Sequence, residues 1–309
     1  MVMSVRMYLN ECSLIPAPDL GTARGWLEEC TLAMILSVES GVERGVKLPT
    51  HYYSIALYPG YYWESWLSDY EVSRELRTRC RSLLTAVSFI DNLMEIADVS
   101  CFWNSTATYG LRDAHISTGL AVSLPSGADW DVTEVDCTIE RIEAGELRAS
   151  PCKVRHISRP SHVEFHFQWI FATAVEECAA KDVLLLVQRC FSRLSFCSPA
   201  TSGLKKANYQ CLRHIGRCLF LLNEYCRSWT SGPFDLRRIA CDASVESGST
   251  LNQFARERTF MCPDGSERLF SLHFKISGAW RIYFIPNSGC GGATIGYIGP
   301  HLPTVDFPS

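Results

Sequence analysis

The sequence predicts an α+β protein: a mixed N-terminal α+β domain, a central antiparallel helical hairpin and a C-terminal antiparallel β-meander. Three observations carry that prediction. Apolar residues in the middle of the chain (Cys211, Ile215, Cys218, Leu222, Tyr225 and Trp229) recur at alternating four- and three-residue steps, the period of a buried helix face. The last quarter instead alternates every second residue between turn-forming clusters, the period of strands. The chain has 309 residues, 47% of them hydrophobic and 20% charged, enough to bury more than one core.

The elements follow in order. In the N-terminal domain (residues 1–160), "HYYSIALY" (51–58) is β-branched and aromatic and reads as a strand. "DYEVSRELRTRCRSLLTAVSFIDNLMEIAD" (69–98) reads as helix. A Gly/Pro/Ser-rich connection, "LPSGADWD", leads to two strands, "TEVDCTIERIE" (133–143) and "CKVRHIS" (152–158), joined by "AGELRASP". In the helical hairpin (161–232), "KDVLLLVQRCFSRLSFC" continues the helical period through Val183, Val187, Cys190, Leu194 and Cys197. "SPATSG" reads as the loop that turns the chain into the second helix, whose polar stripe carries Lys206, Arg213 and Arg217. The C-terminal module (233–309) reads as four strands: "ERTFMC", "ERLFSLHFKI", "AWRIYFIP" and "ATIGYIG".

Composition excludes several classes. A net charge of −4, from 29 basic and 33 acidic residues, provides no global basic field for nucleic acid, so any such contact must be local. No run of about 18 apolar residues exists, and the N-terminal stretch is interrupted at Glu11 and Pro16, so a cytoplasmic protein without membrane association is expected. Fifteen cysteines lie between Cys12 and Cys290 without a C-x-x-C pair, the pattern of reduced, structural thiols. Cys190, Cys197, Cys211 and Cys218 are expected between the two middle helices.

Two clusters have metal-ligand spacing. Asp91, Glu95 and Asp98 share one helical face, which resembles the aspartate-rich motif of class I terpene synthases; the strands at both ends favour a solvated acidic edge instead. His162 and His166 stand four apart with His156 upstream, but Glu164 falls on another face, unlike the H-E-x-x-H arrangement. "GCGGATIG" is glycine-rich, yet a strand follows it rather than a helix, so no anion cradle forms. No metal or cofactor is expected.

"LHFKISGAWRIYF" (272–284) is the most informative stretch. A two-residue turn would set Lys275 against Trp280. A three-residue turn at Ser277-Gly278-Ala279 opposes Lys275 to Arg281, Phe274 to Ile282 and His273 to Tyr283, which sorts every apolar residue onto one side. Its cost is a pair of directly opposed like charges, for which an anion bound between them gives a reason. Acidic neighbours within the protein are the other reading.

The order "ERLFSLHFKISGAWRIYFIP…ATIGYIGPHLP" resembles the β-meander core of RelE/HigB-type toxin ribonucleases, over about 50 residues. The resemblance implies metal-independent RNA cleavage, with His273 or Lys275 as base, Arg281 as the phosphate clamp, His301 as acid and Tyr283 orienting the phosphate or stacking on a base. Arg268, Lys206, Arg213 and Arg217 would supply further contacts. RNA, and an antitoxin or trigger protein acting on the N-terminal region, are the partners it implies. The alternative is a non-catalytic protein whose C-terminal sheet is an interaction platform.

Overall fold

The computed structural model describes residues 5–86, 99–143 and 145–305. It has the α+β architecture, in two compact units: residues 1–166 and 167–309.

The first unit is built on one seven-stranded sheet. Its strands are β1 (Met7–Leu9), β2 (Val46–Lys47), β3 (Val99–Trp103), β4 (Thr106–Ala107), β5 (Leu120–Val122), β6 (Glu134–Glu143) and β7 (Glu146–Ile157), in the order β2-β1-β5-β7-β6-β3-β4. β1 pairs parallel with β2 and β5, and β5 with β7; β7, β6, β3 and β4 continue antiparallel. Among the described residues, four α-helices accompany it: α1 (Leu20–Ser40), α2 (Trp63–Ser68), α3 (Arg74–Leu84) and α4 (Tyr109–Ile116). Asp19 caps α1 by accepting from the Thr22 N–H at 2.7 Å.

Three expectations for this unit change. "HYYSIALY" is not a strand: a 3₁₀ turn covers Tyr52–Ser54, and a tight turn with Gly60 in the left-handed region closes the Tyr58–Tyr61 bridge. "AGELRASP" is not a connection, because β7 begins at Glu146 and Gly145, at φ +83°, makes the hairpin turn. Helix α3 ends at Leu84; Asp91, Glu95 and Asp98 lie outside the described residues.

Helix α5 (Pro160–Glu177) begins in the first unit and continues into the second, which also holds α6 (Val183–Cys190), β8 (Leu194–Phe196), α7 (Ser198–Lys206), α8 (Tyr209–Ser228), β9 (Ala243–Val245), α9 (Gly248–Gln253), β10 (Thr259–Met261), β11 (Glu267–Leu269), β12 (Leu272–Lys275), β13 (Trp280–Pro286) and β14 (Ala293–Pro300). A five-stranded sheet runs β8-β14-β13-β12-β9, and β10 and β11 form a separate pair. The expected two-helix hairpin is therefore corrected. "SPATSG" belongs to helix α7, which Pro199 opens from its first turn. Leu194 and Cys197 are off the helix, because Phe191 ends α6 and Leu194–Phe196 pairs parallel with β14.

One face of the sheet carries Phe274, Ile276, Ile282 and Phe284 into the same core as Leu222, Tyr225 and Trp229 of the α8 region, with Ile239 between. Residues on both sides of 232 thus share one core. α8 starts where Asn208 accepts from the Cys211 N–H at 2.9 Å, and its buried side follows the predicted period. Lys205 donates to the carbonyls of Val175 (2.6 Å) and Cys178 (2.9 Å), closing the C-terminal end of α5. Cys197 sits on the opposite side of the sheet, with Cys262, Phe270 and Tyr283.

Candidate functional site

The hairpin β12–β13 has the register that the three-residue turn requires: Lys275 faces Arg281, Phe274 faces Ile282 and His273 faces Tyr283. Gly278 (φ +67°) and Ala279 (φ +62°) turn the chain in the left-handed region. The Ile276 N–H donates to the Trp280 carbonyl at 2.9 Å and so closes the turn.

The polar side of that hairpin is not an open surface. His273 and Tyr283 are buried, covered by the segment that contributes Glu246, Arg258 and Phe270. Sequence reasoning missed Glu246 and Arg258. Arg258 is fully buried, its Nε lies 3.2 Å from Glu246 Oε1, and its guanidinium stacks 5.5 Å above the Tyr283 ring. His273 Nδ1 approaches the same carboxylate oxygen at 3.4 Å. Alignment is imperfect, and Glu246 Oε1, Arg258 Nε and Nη2, and His273 Nδ1 are buried without a hydrogen bond. Burial pushes the His273 imidazole down to about 4 despite the pull of Glu246, with Arg281 and His301 adding to the depression. Burial raises the Tyr283 phenol to about 12, and the Glu246 carboxylate adds to it.

The two opposed cations differ in their partners. Lys275 is exposed and reaches Asp242 Oδ1 at 3.3 Å. Arg281 is half-buried; its Nη1 donates to the Trp280 carbonyl at 2.9 Å, and its buried Nε has no hydrogen-bond partner. No ion pair joins Arg281 to a carboxylate among the described residues. His301 comes to this place because its N–H donates to the Ala279 carbonyl at 2.9 Å, and its ring lies 6.5 Å from that of His273. Burial and the nearby Arg281 lower its pKa. The structure thus brings His273, Arg281, Tyr283 and His301 together and leaves Lys275 at the rim.

A groove of about 340 Å³ opens between α7 and the end of β14, lined by Trp280, Tyr297, Pro199, Pro300 and Lys206; Arg281 is not among its lining residues. Arg213 and Arg217 are exposed on α8, one and two turns from its start. Arg268 stands apart on the β10–β11 pair, held by Asp264 and donating to Ser266 Oγ at 2.9 Å.

The histidine cluster has a different arrangement from a metal site. His162 Nε2 lies 3.3 Å from Asp131 Oδ1, and its Nδ1 faces Ser158 Oγ at 3.4 Å. This Ser-His-Asp sequence is closed to substrate, because Ser158 is fully buried and its hydroxyl donates to the Trp130 carbonyl at 2.6 Å. His156 Nδ1 and His166 Nε2 bond the carbonyls of Val132 and Thr133 at 2.7 and 2.8 Å. Among the described residues no three His, Cys, Asp or Glu side chains converge as metal ligands, and no helix is long and apolar enough to cross a membrane. Comparison with protein-family models, with curated proteins and with solved structures finds no match.

Proposed function

We propose that the second unit binds RNA through a phosphodiester held at Arg281 and His301, as a RelE/HigB-like module of a cytoplasmic toxin or defence effector. One observation carries this reading: a half-buried guanidinium with an unpartnered buried Nε, facing a like charge and paired to no carboxylate among the described residues. With no carboxylate paired to it, the half-buried guanidinium can take a phosphate oxygen on the part that solvent reaches. Elsewhere on the same unit, the groove between α7 and β14 offers the Trp280 and Tyr297 rings to a base, with Lys206 in its lining.

Cleavage would need one neutral and one protonated group on opposite sides of the phosphate. With His273 and His301 both depressed, the free protein holds two neutral imidazoles at pH 7. A bound phosphate favours protonation of His301, and His273 stays the base, too weak at a pKa of about 4 for rapid turnover. Binding therefore ranks ahead of cleavage. Any cleavage uses these side chains and persists in EDTA; activity lost on chelation and restored by magnesium would overturn that mechanism. The N-terminal unit would then serve a trigger or antitoxin protein.

The test is Arg281→Gln in the full chain. RNA affinity should fall at least tenfold, the scale of a lost charged hydrogen bond. The fold should keep its stability or gain a few tenths of a kcal/mol, about the size of a relieved cross-strand repulsion. Unchanged RNA affinity with lower stability would sink the proposal. A non-catalytic interaction platform is the second reading. It is favoured by the exposed apolar side chains Val245, Met261 and Leu269 and by the Lys275–Asp242 pair.

A further inference from the structure

Cys218 of α8 and Cys241, which precedes Asp242 and β9, bring their sulfurs to 3.0 Å across 23 residues of chain. A disulfide bond is about 2.05 Å long, so bonding requires roughly 1 Å of approach between the two sulfurs. The two thiols are not alike. Cys218 is fully buried, whereas Cys241 is half-buried. The hydrogen bond between the two sulfurs lowers the Cys241 thiol, burial opposes this, and the Arg217 guanidinium, next to Cys218 in sequence, adds a smaller push towards the thiolate. A partly exposed thiol in an electropositive setting beside a second thiol is the arrangement of oxidisable cysteines.

We propose that Cys218 and Cys241 form a two-thiol modification site that takes a small hydroperoxide as its co-substrate. The Cys241 thiolate attacks the terminal peroxide oxygen; the O–O bond breaks, the alkoxide or hydroxide leaves and takes up a proton, and Cys241 becomes a sulfenic acid. The Cys218 sulfur then attacks the Cys241 sulfur and expels water. Two thiols and one hydroperoxide thus give one disulfide, one alcohol (water when the peroxide is hydrogen peroxide) and one water. The new bond ties α8 to the residue next to Asp242, the partner of Lys275.

Other thiols lack the combination. The hydrogen bond from Cys137 lowers the Cys101 thiol in the same way, but Cys101 is buried. Its half-exposed neighbour Cys152 is pushed up to about 11 by burial, which keeps it protonated. Cys290 is exposed and has no second thiol in contact, which makes it an internal control.

The experiment treats the reduced full-length protein with hydrogen peroxide and maps the products by peptide mass spectrometry, with dimedone as the sulfenic-acid trap. The Cys218–Cys241 disulfide should form at least tenfold faster than any oxidation at Cys290. Cys218→Ala should stop the reaction at a dimedone-trapped Cys241, and Arg217→Gln should slow the step several-fold without changing Cys290. Because Cys218 is a core residue, Cys241→Ser gives the second reading at a half-exposed position: the disulfide disappears and no other pair replaces it. Oxidation of Cys290 ahead of Cys241, or a disulfide that forms only after denaturation, would overturn the site.

Discussion

Removing the Arg258 guanidinium leaves the Glu246 carboxylate buried beside the neutral His273 and Tyr283, with no cation paired to it. Such an uncompensated charge costs about 3–5 kcal/mol, so Arg258→Met should lower the denaturant midpoint sharply, unlike Arg281→Gln. Loss of both charges in Glu246→Gln/Arg258→Met should recover much of the difference, because the cost lies in the stranded partner. His273 and His156 give the pH response. Both are depressed to about 4 by burial and would titrate near 6.5 in the unfolded chain. The unfolded state therefore takes up protons first, and stability is complete above about pH 6.5 and declines as the pH falls towards 4. Urea midpoints measured from pH 7.5 to 4.5 should fall through that window; a flat profile would mean that these rings are solvated. Arg281, His273 and Tyr283 were legible in the sequence because strand alternation and one turn length placed them together. Glu246 and Arg258 were not, since a buried ion pair leaves no period in the sequence and depends on a segment folding over the sheet.

At the level of elements, structure set by local signals is legible in the sequence, and structure set by long-range pairing is not. The β12–β13 register followed from sorting apolar residues around Ser277-Gly278-Ala279, and α8 followed from its buried period. β8 looked helical because Leu194 and Cys197 extend the spacing of Val183, Val187 and Cys190; only its pairing with β14 makes it a strand. "SPATSG" carries loop composition, but its first residues suit a helix start, and its small side chains suit a close approach. That approach is closest at Gly203, where a Cβ would fall onto the carbonyl oxygen of Ile298 in β14. Gly203→Ala should therefore force α7 away from the sheet and cost about 1–3 kcal/mol, the range for overpacking. Thermal unfolding of the variant tests it, and an unchanged melting temperature would show that α7 can shift freely.

On the scale of the whole molecule, the two units each have their own core, but the sequence boundary at 232/233 does not separate independent pieces. Phe274, Ile282 and Phe284 bury against Leu222, Tyr225 and their neighbours. A fragment of residues 230–309 would expose that face to water, so it should show no cooperative unfolding, whereas residues 160–309 should. Circular dichroism melts of the two fragments decide the point. The parallel pairing of β8 with β14 has one more consequence, for the order in which the chain assembles. Leu194 partners Ala293, roughly a hundred residues downstream, so during synthesis the β8 strand emerges well before its partner. At a translation rate of about 5–20 residues per second the wait lasts at least several seconds, with Leu194 and Phe196 still without the sheet that buries them. This unit should accordingly be slow to close and most open to chaperones before Ala293–Ile295 have left the ribosome.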